Sequence, residues 1–189
     1  MTRIVPTRFA REALSQIFNS IRAIHEIRGS TASAVMIRVR HIFVSPGHNY
    51  FGRYGQAADT HPITEVAEVE CVAGYGLRGD RFFGYRPDYK GQATFFAVEV
   101  FDAVRREFNV PALWASAFRR NVITEGIDLN ALIGERFTVQ GVVFEGVEEC
   151  RPCFWMEQAV AAGAEDWLKG RGGLRCKILS SGWLRRDGP

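Results

Sequence analysis

Short apolar runs, punctuated by turn formers, constrain this chain more than any other feature. Runs of strand or hairpin length lie at 37–44 (IRVRHIFV), 65–72 (EVAEVECV), 93–98 (ATFFAV), 119–124 (RRNVIT), 137–147 (FTVQGVVFEGV) and 173–182 (GLRCKILSSG). The 19 glycines and 7 prolines supply the turns between them. In 65–72, Ala67, Val69 and Cys71 alternate with Glu68 and Glu70, the pattern of a strand with one buried face. The run 137–147 reads as a hairpin around Gln140-Gly141. After Met36, helical spacing is confined to 99–109, with Pro111 shortly after its end, and to 154–170, which breaks near Gly163. Strands with interspersed helices and no regular βαβ rhythm predict a strand-rich α+β domain, barrel-like, with a few peripheral helices.

The 189 residues suffice for one domain with a substantial core. A net charge of +3 gives no electrostatic argument for nucleic acid. No run of about 18 apolar residues predicts a transmembrane helix. No apolar segment of the secretory kind follows the basic N-terminus, so a reducing cytoplasm is the expected setting. Residues 1–35 differ from the rest, with five arginines, no lysine and two acids. Phe9, Leu14, Ile17, Phe18, Ile21 and Ile24 fall near helical spacing there, and the composition has some likeness to an organellar transit peptide. The segment reads as an extension without a chemical role: flexible chain, an amphipathic helix, or a start assigned too early. Met36 opens the domain, 36–189.

Chemistry concentrates at ECRPCFWME, 149–157, where Cys150 and Cys153 flank an Arg-Pro pair. Four readings stand. A structural zinc site normally takes four ligands, often from two such knuckles. Cys71, Cys176 and the four histidines make no second one. A dithiol redox pair belongs at a helix start within a βαβ unit, a context the sequence does not supply. A single reactive thiol suits Cys153, placed just before the predicted helix, where unpaired N–H groups favour a thiolate. Arg151 adds positive charge, Pro152 fixes the approach, and Glu148 and Glu149 oppose. The fourth reading is that both thiols are buried apolar packing.

The segments around that pair carry a family resemblance. CRPC is preceded by RRNVITEGIDLNALIGERFTVQGVVFEG and followed by GRGGLRCKILSSG; upstream lie VECVAGYGLRGDRFFGY, with its G-x-x-G-D-R turn, and QATFFAVEVFDAV. In this order they resemble a small standalone bacterial MOSC domain, the molybdenum cofactor sulfurase C-terminal domain family, from about Met36 onward. The resemblance implies a compact barrel-like fold and one essential cysteine, Cys153, tied to molybdenum as a ligand of the molybdenum cofactor or as a carrier of persulfide sulfur. It implies an oxidoreductase acting on N-hydroxylated small molecules, or a sulfur-transfer protein. The expected partners are a cysteine desulfurase or an electron-donor reductase, with neither nucleic acid nor membrane. Pyridoxal phosphate is a further association at family level.

The same resemblance suggests cofactor-binding positions. Arg119, Arg120 and Asn121 match the family's RRN, and two guanidinium forks beside an amide suit an anionic pterin phosphate. A solvated strand edge is the alternative. Asp80 and Arg81 match GDR and either orient the cofactor or pair across a tight turn. Arg175 is a further candidate for the anion. His48, in the loop SPGHNYFGRYG, is a possible site residue or an ordinary loop histidine. Departures from the family pattern are a short or altered closing strand at SSGWLRRDGP and the lack of a further N-terminal barrel domain. Two other function classes stay open: a non-enzymatic barrel module, with RFFGYRPDYK (81–90) as a stacking loop for single strands or simply solvated, and a structural zinc protein.

Overall fold

The run ATFFA becomes β5 (Ala93–Ala97), and all five of its residues are buried. A strand without a polar face has to lie inside a sheet covered on both sides. The computed structural model, which describes residues 37–50 and 55–188, places it there. The larger sheet has seven strands in the order β2-β1-β6-β5-β9-β8-β7, and a smaller one has the order β10-β3-β4. Its members are β1 (Arg38–Val44), β2 (Thr64–Glu65), β6 (Val122–Glu125), β7 (Arg136–Val139), β8 (Val142–Glu149) and β9 (Leu174–Ile178); the smaller sheet holds β3 (Glu68–Val72), β4 (Gly76–Leu77) and β10 (Gly182–Arg185).

Alternation along the central strands builds two cores. Ile42, Phe95, Val122, Phe144 and Cys176 pack with Val69, Cys71, Leu77 and Leu184 of the smaller sheet, filling the inside of a curled half-barrel. Their chain neighbours Phe43, Phe96 and Ile123 point the other way, against helix α1 (Val98–Glu107) and the segment around Phe118 and Met156. One residue of register therefore separates the barrel core from the helical layer. The fold is the strand-rich α+β, barrel-like one expected, with few helices.

Several local expectations are refined. The hairpin forms as read: Gln140 (φ 49°) and Gly141 (φ 85°) both take the left-handed conformation that a primed two-residue turn needs. The run 65–72 is not one strand. Residues 64–66 follow β1, with the Val66 amide donating to the Ile42 carbonyl at 2.9 Å, and the chain then crosses to the smaller sheet. The helix expected over 154–170 is two short pieces, α2 (Trp155–Ala159) and α3 (Ala164–Trp167), separated at Gly163 with φ 85°. A βαβ unit does exist, since β5 and β6 pair in parallel across α1. The cysteine pair lies elsewhere, after β8, which runs antiparallel to both its neighbours. The closing strand β10 is four residues long and pairs with β3. The expectations for residues 1–35 fall outside the described residues. No helix among the described residues is long and apolar enough to cross a membrane.

Candidate functional site

The sequence has two adjacent glycines where the cysteine segment must turn over the end of β9. A side chain at Gly172 would place its Cβ 2.4 Å from the Cys150 carbonyl oxygen. At Gly173, with φ 95°, it would meet the Phe95 carbonyl oxygen at 2.1 Å. Only glycine permits that approach. The Cys150 amide then donates to the Gly173 carbonyl at 2.7 Å. Arg120 ties the same corner: Nε donates to the Gly172 carbonyl at 2.9 Å, Nη1 to that of Phe118 at 2.9 Å and Nη2 to that of Cys150 at 2.8 Å.

This corner forms one wall of a cavity of about 500 Å³. The loop after β1 contributes His48, Asn49 and Tyr50. The segment after β4 contributes Arg81, Phe82 and Tyr89. Phe118, Arg119 and Arg120 approach from the 3-10 turn before β6, Arg175 rises from β9, and Cys150, Arg151, Cys153 and Trp155 add to the lining. Five guanidinium groups thus border the space, and no carboxylate does so among the described residues. Aromatic rings make the opposite character. His48 meets Phe82 edge-on at 4.8 Å between centroids, and Phe82 lies 4.9 Å from Tyr89.

Beneath the arginines lies a buried polar knot. Asp80 accepts from the Phe82 amide at 3.1 Å, the Ser45 amide at 3.3 Å, Asn121 Nδ2 at 3.0 Å and Arg81 Nη1 at 3.3 Å. Asn121 Oδ1 accepts from the Thr94 hydroxyl at 2.8 Å, and its Nδ2 also donates to the Phe43 carbonyl at 3.2 Å. Asp80 aims Arg81, and Asn121 joins β1, β5 and β6 below the cavity floor.

Arg119 stands in the left-handed region at φ 55°, which is costly for a residue with a Cβ. Its Nη2 donates to the Gly47 carbonyl at 2.9 Å, and its guanidinium lies 5.5 Å from the Trp155 ring centre. Burial, with Arg81 nearby, pushes Arg119 down to about 10. Burial likewise lowers Arg81, with Asp80 opposing. At Arg175 burial pulls downward, but Cys150, Tyr89 and Glu148 outweigh it and hold the group above its usual value. His48 is lowered, by burial first and then by Arg81 and Arg119, so its imidazole is neutral at pH 7. Arg119 Nη1 and Arg175 Nε are buried and donate no hydrogen bond among the described residues, Arg175 Nε standing 3.8 Å from Glu148 Oε1. An unmet buried donor costs roughly 1–3 kcal/mol, and a bound anion relieves it.

Of the positions expected from the sequence, Cys153, Arg81, Arg119, Arg120 and Arg175 line the cavity, whereas Asp80 and Asn121 do not. Arg120 engages three carbonyls and holds the cysteine corner. Cys153 is exposed at the lining and Cys150 is buried. The helix after Cys153 has only five residues, so the positive surroundings of the pair come from arginine side chains more than from a helix terminus. Sequence reading passed over Trp155 as a lining residue, took Arg151 only as a nearby charge, and had Tyr50 only within the loop SPGHNYFGRYG and Phe82 and Tyr89 only within a stacking loop. RFFGYRPDYK is not merely solvated, because Arg81, Phe82 and Tyr89 face the cavity. The clue was its interleaving of cations with aromatics. Among the described residues no three His, Cys, Asp or Glu side chains gather as a metal cluster, so the zinc alternative gains no ligand set there.

A family model described as the MOSC domain matches residues 88–187, more than half of the chain. The fold is similar to that of the YuaD protein from Bacillus subtilis, with 15% identity and a TM-score of 0.62 over 79% of this chain and 91% of that one. It is similar to YiiM from Geobacillus stearothermophilus, with 14% identity and a TM-score of 0.58 over 81% and 73% of the two chains. YiiM from Escherichia coli is 19% identical, with a TM-score of 0.55 over 77% and 67%. No curated protein matches the sequence.

Proposed function

The chain belongs to the MOSC domain family, and from that premise we propose that it is a molybdenum-cofactor-linked protein whose cavity takes the anionic cofactor and whose Cys153 offers it a thiolate. The observation that carries this reading is the pair of buried guanidinium nitrogens without a hydrogen-bond partner among the described residues, Arg119 Nη1 and Arg175 Nε, the latter 3.8 Å from Glu148 Oε1, in a cavity bordered by five arginines and, among the described residues, no acid. Such donors suit a phosphate or an oxyanion. The volume suits a ligand of cofactor size, since small-molecule sites run to roughly 300–1,000 Å³. The wall of Phe82, Tyr89 and Trp155 suits a planar heterocycle.

In this reading Arg119, Arg175 and Arg81 hold the anionic end, and the aromatic wall holds the ring. When bound, the cofactor supplies the two-electron chemistry by which an N-hydroxylated small molecule is reduced. The chain's own part is to fix the anion and to keep a neutral His48 imidazole in the wall as a proton acceptor. An electron-donor reductase would then be the partner.

A second reading keeps Cys153 as a persulfide carrier served by a cysteine desulfurase. It is favoured by the exposure of Cys153 at the cavity lining, where a donor protein can reach it. Element and pterin analysis of protein made in a host that synthesises molybdenum cofactor tests the first reading. About one molybdenum and one pterin per chain are expected, with loss of metal in Cys153→Ser and of pterin in Arg119→Gln. Protein free of both, from a host whose own molybdoenzymes are loaded, would overturn it.

A further inference from the structure

We propose that Cys150 is a second working thiol, which resolves a persulfide on Cys153, expels sulfide into the arginine cavity and leaves a Cys150–Cys153 disulfide. The inference rests on the carrier reading of Cys153 and is independent of cofactor binding. Its starting point is a contrast among buried cysteines. Cys71 and Cys176 sit within the barrel core, surrounded by apolar side chains. Cys150 is also buried, at 5% exposure, yet it belongs to neither apolar core and borders the cavity with Cys153. A cysteine kept for packing has apolar neighbours. This one shares its space with the guanidinium groups of Arg81 and Arg175 and with Tyr89.

The two thiols also differ in access. Cys153 is exposed, so a bulky persulfide donor can reach it. Cys150 is buried and lines the same cavity as its neighbour three residues on, so burial shields it from such a donor. Its backbone is fixed on both sides, by the hydrogen bond its amide donates to the Gly173 carbonyl and by the one Arg120 donates to its own carbonyl. The Arg151 amide donates to the Glu149 carbonyl at 2.9 Å, turning the chain between the two cysteines.

The steps balance. The Cys153 thiolate attacks the outer sulfur of a persulfide R–S–SH, the donor's S–S bond breaks, and R–SH leaves with one proton. The Cys150 thiolate then attacks Cys153 Sγ. The new S–S bond joins the two cysteines, and the terminal sulfur leaves as HS⁻. The two cysteines each give up one electron, and the transferred sulfur atom takes both. The departing anion is formed among guanidinium groups that stabilise it. A further round needs an external dithiol to reduce the disulfide.

The experiment uses the full chain, reduced, desalted and given one equivalent of inorganic polysulfide without reductant. In the wild type about one sulfide per chain is expected beyond the donor's own leaving group, and intact mass should settle about 2 Da below the reduced protein, with the loss mapping to the peptide that holds both cysteines. Cys150→Ser should keep a gain of about 32 Da on Cys153 and release that bound sulfur as sulfide at least about tenfold more slowly. Cys150→Ala is the second variant, and equal thermal midpoints would show that both remain folded. If the wild type takes up sulfur and keeps it, or if Cys150→Ser releases sulfide as fast, the resolving role is overturned while the carrier reading stands. If Cys153 takes up no sulfur in either protein, both fall together.

Discussion

Replacing Asp80 by Asn tests whether the polar knot beneath the cavity is a structural device that aims Arg81. The carboxylate accepts four hydrogen bonds, and the side chains of Asp80 and Arg81 are only 1% and 10% exposed. Asparagine keeps one acceptor oxygen. In its better orientation the amide oxygen replaces Oδ2 and serves Ser45, Asn121 and Arg81, while the NH₂ group confronts the Phe82 amide. At least one hydrogen bond is then lost, worth about 1–2 kcal/mol, and Arg81 loses the charge that offsets its burial. Breaking a buried pair by removing one partner costs about 3–5 kcal/mol, and the retained bonds place Asp80→Asn near the lower end, about 3 kcal/mol. For a chain of this size that lowers the thermal midpoint by roughly 6–12 °C. Circular dichroism melts and urea titration at low salt measure it. Oxyanion affinity should move the opposite way, because removing a negative charge near the arginines leaves the cavity more positive. Phosphate binding by calorimetry, well below the melting transition, reads that sign. A variant as stable as the wild type within about 0.5 kcal/mol would refute the knot, and lost phosphate binding in a folded protein would make Asp80 part of the ligand site.

Gly172→Ala should cost several kcal/mol, on the order of 3, and slow alkylation of Cys153 should report a displaced cysteine corner, because the new Cβ falls 2.4 Å from the Cys150 carbonyl oxygen. The Cys71 thiol is pushed up to about 12 from 9.0 by burial, so its folded value lies above its unfolded one. Its stabilising contribution is complete below pH 9 and is lost between pH 9 and 12, at up to about 1.4 kcal/mol per pH unit. A Cys71→Ala variant should show a shallower fall in urea midpoint over that range. His48 should titrate below 6.5 by proton NMR, and phosphate in the cavity should move that midpoint upward by offsetting Arg81 and Arg119. No movement on saturation would place the anion elsewhere.

What could be read from the sequence was what depends on near neighbours. The Gln140-Gly141 turn is legible because positive φ at both positions has its own residue chemistry. The continuous apolar run of β5 announces a strand covered on both faces. The parallel pairing of β5 with β6 was not legible, since a long connection with its own 3-10 turn separates them and local periodicity carries no pairing direction. The site divides in the same way. Cys153 and the RRN, GDR and GGLR arginines could be named through a family resemblance. The separation of Arg81 from Asp80, with one facing the cavity and the other beneath it, follows from a contact to Asn121 that is 41 residues distant. Cys150 and Cys153 are indistinguishable by spacing; what separates them is exposure, set by Gly172, Gly173 and Arg120.

The pairing of β10 with β3 has a consequence for how the molecule is made. Residues 182–185 zip onto residues 68–71 of β3, and just beyond them the Asp187 side chain accepts from the Val39 amide at 2.7 Å. During synthesis every other strand among the described residues emerges before the one that completes the smaller sheet. Until residues 182–187 clear the ribosome, β3 offers a bare edge and Val69, Cys71 and Leu77 lack the cover of Leu184. The nascent chain therefore passes through an aggregation-exposed stage of some hundred residues' growth, and closure of the smaller sheet is a late, long-range event.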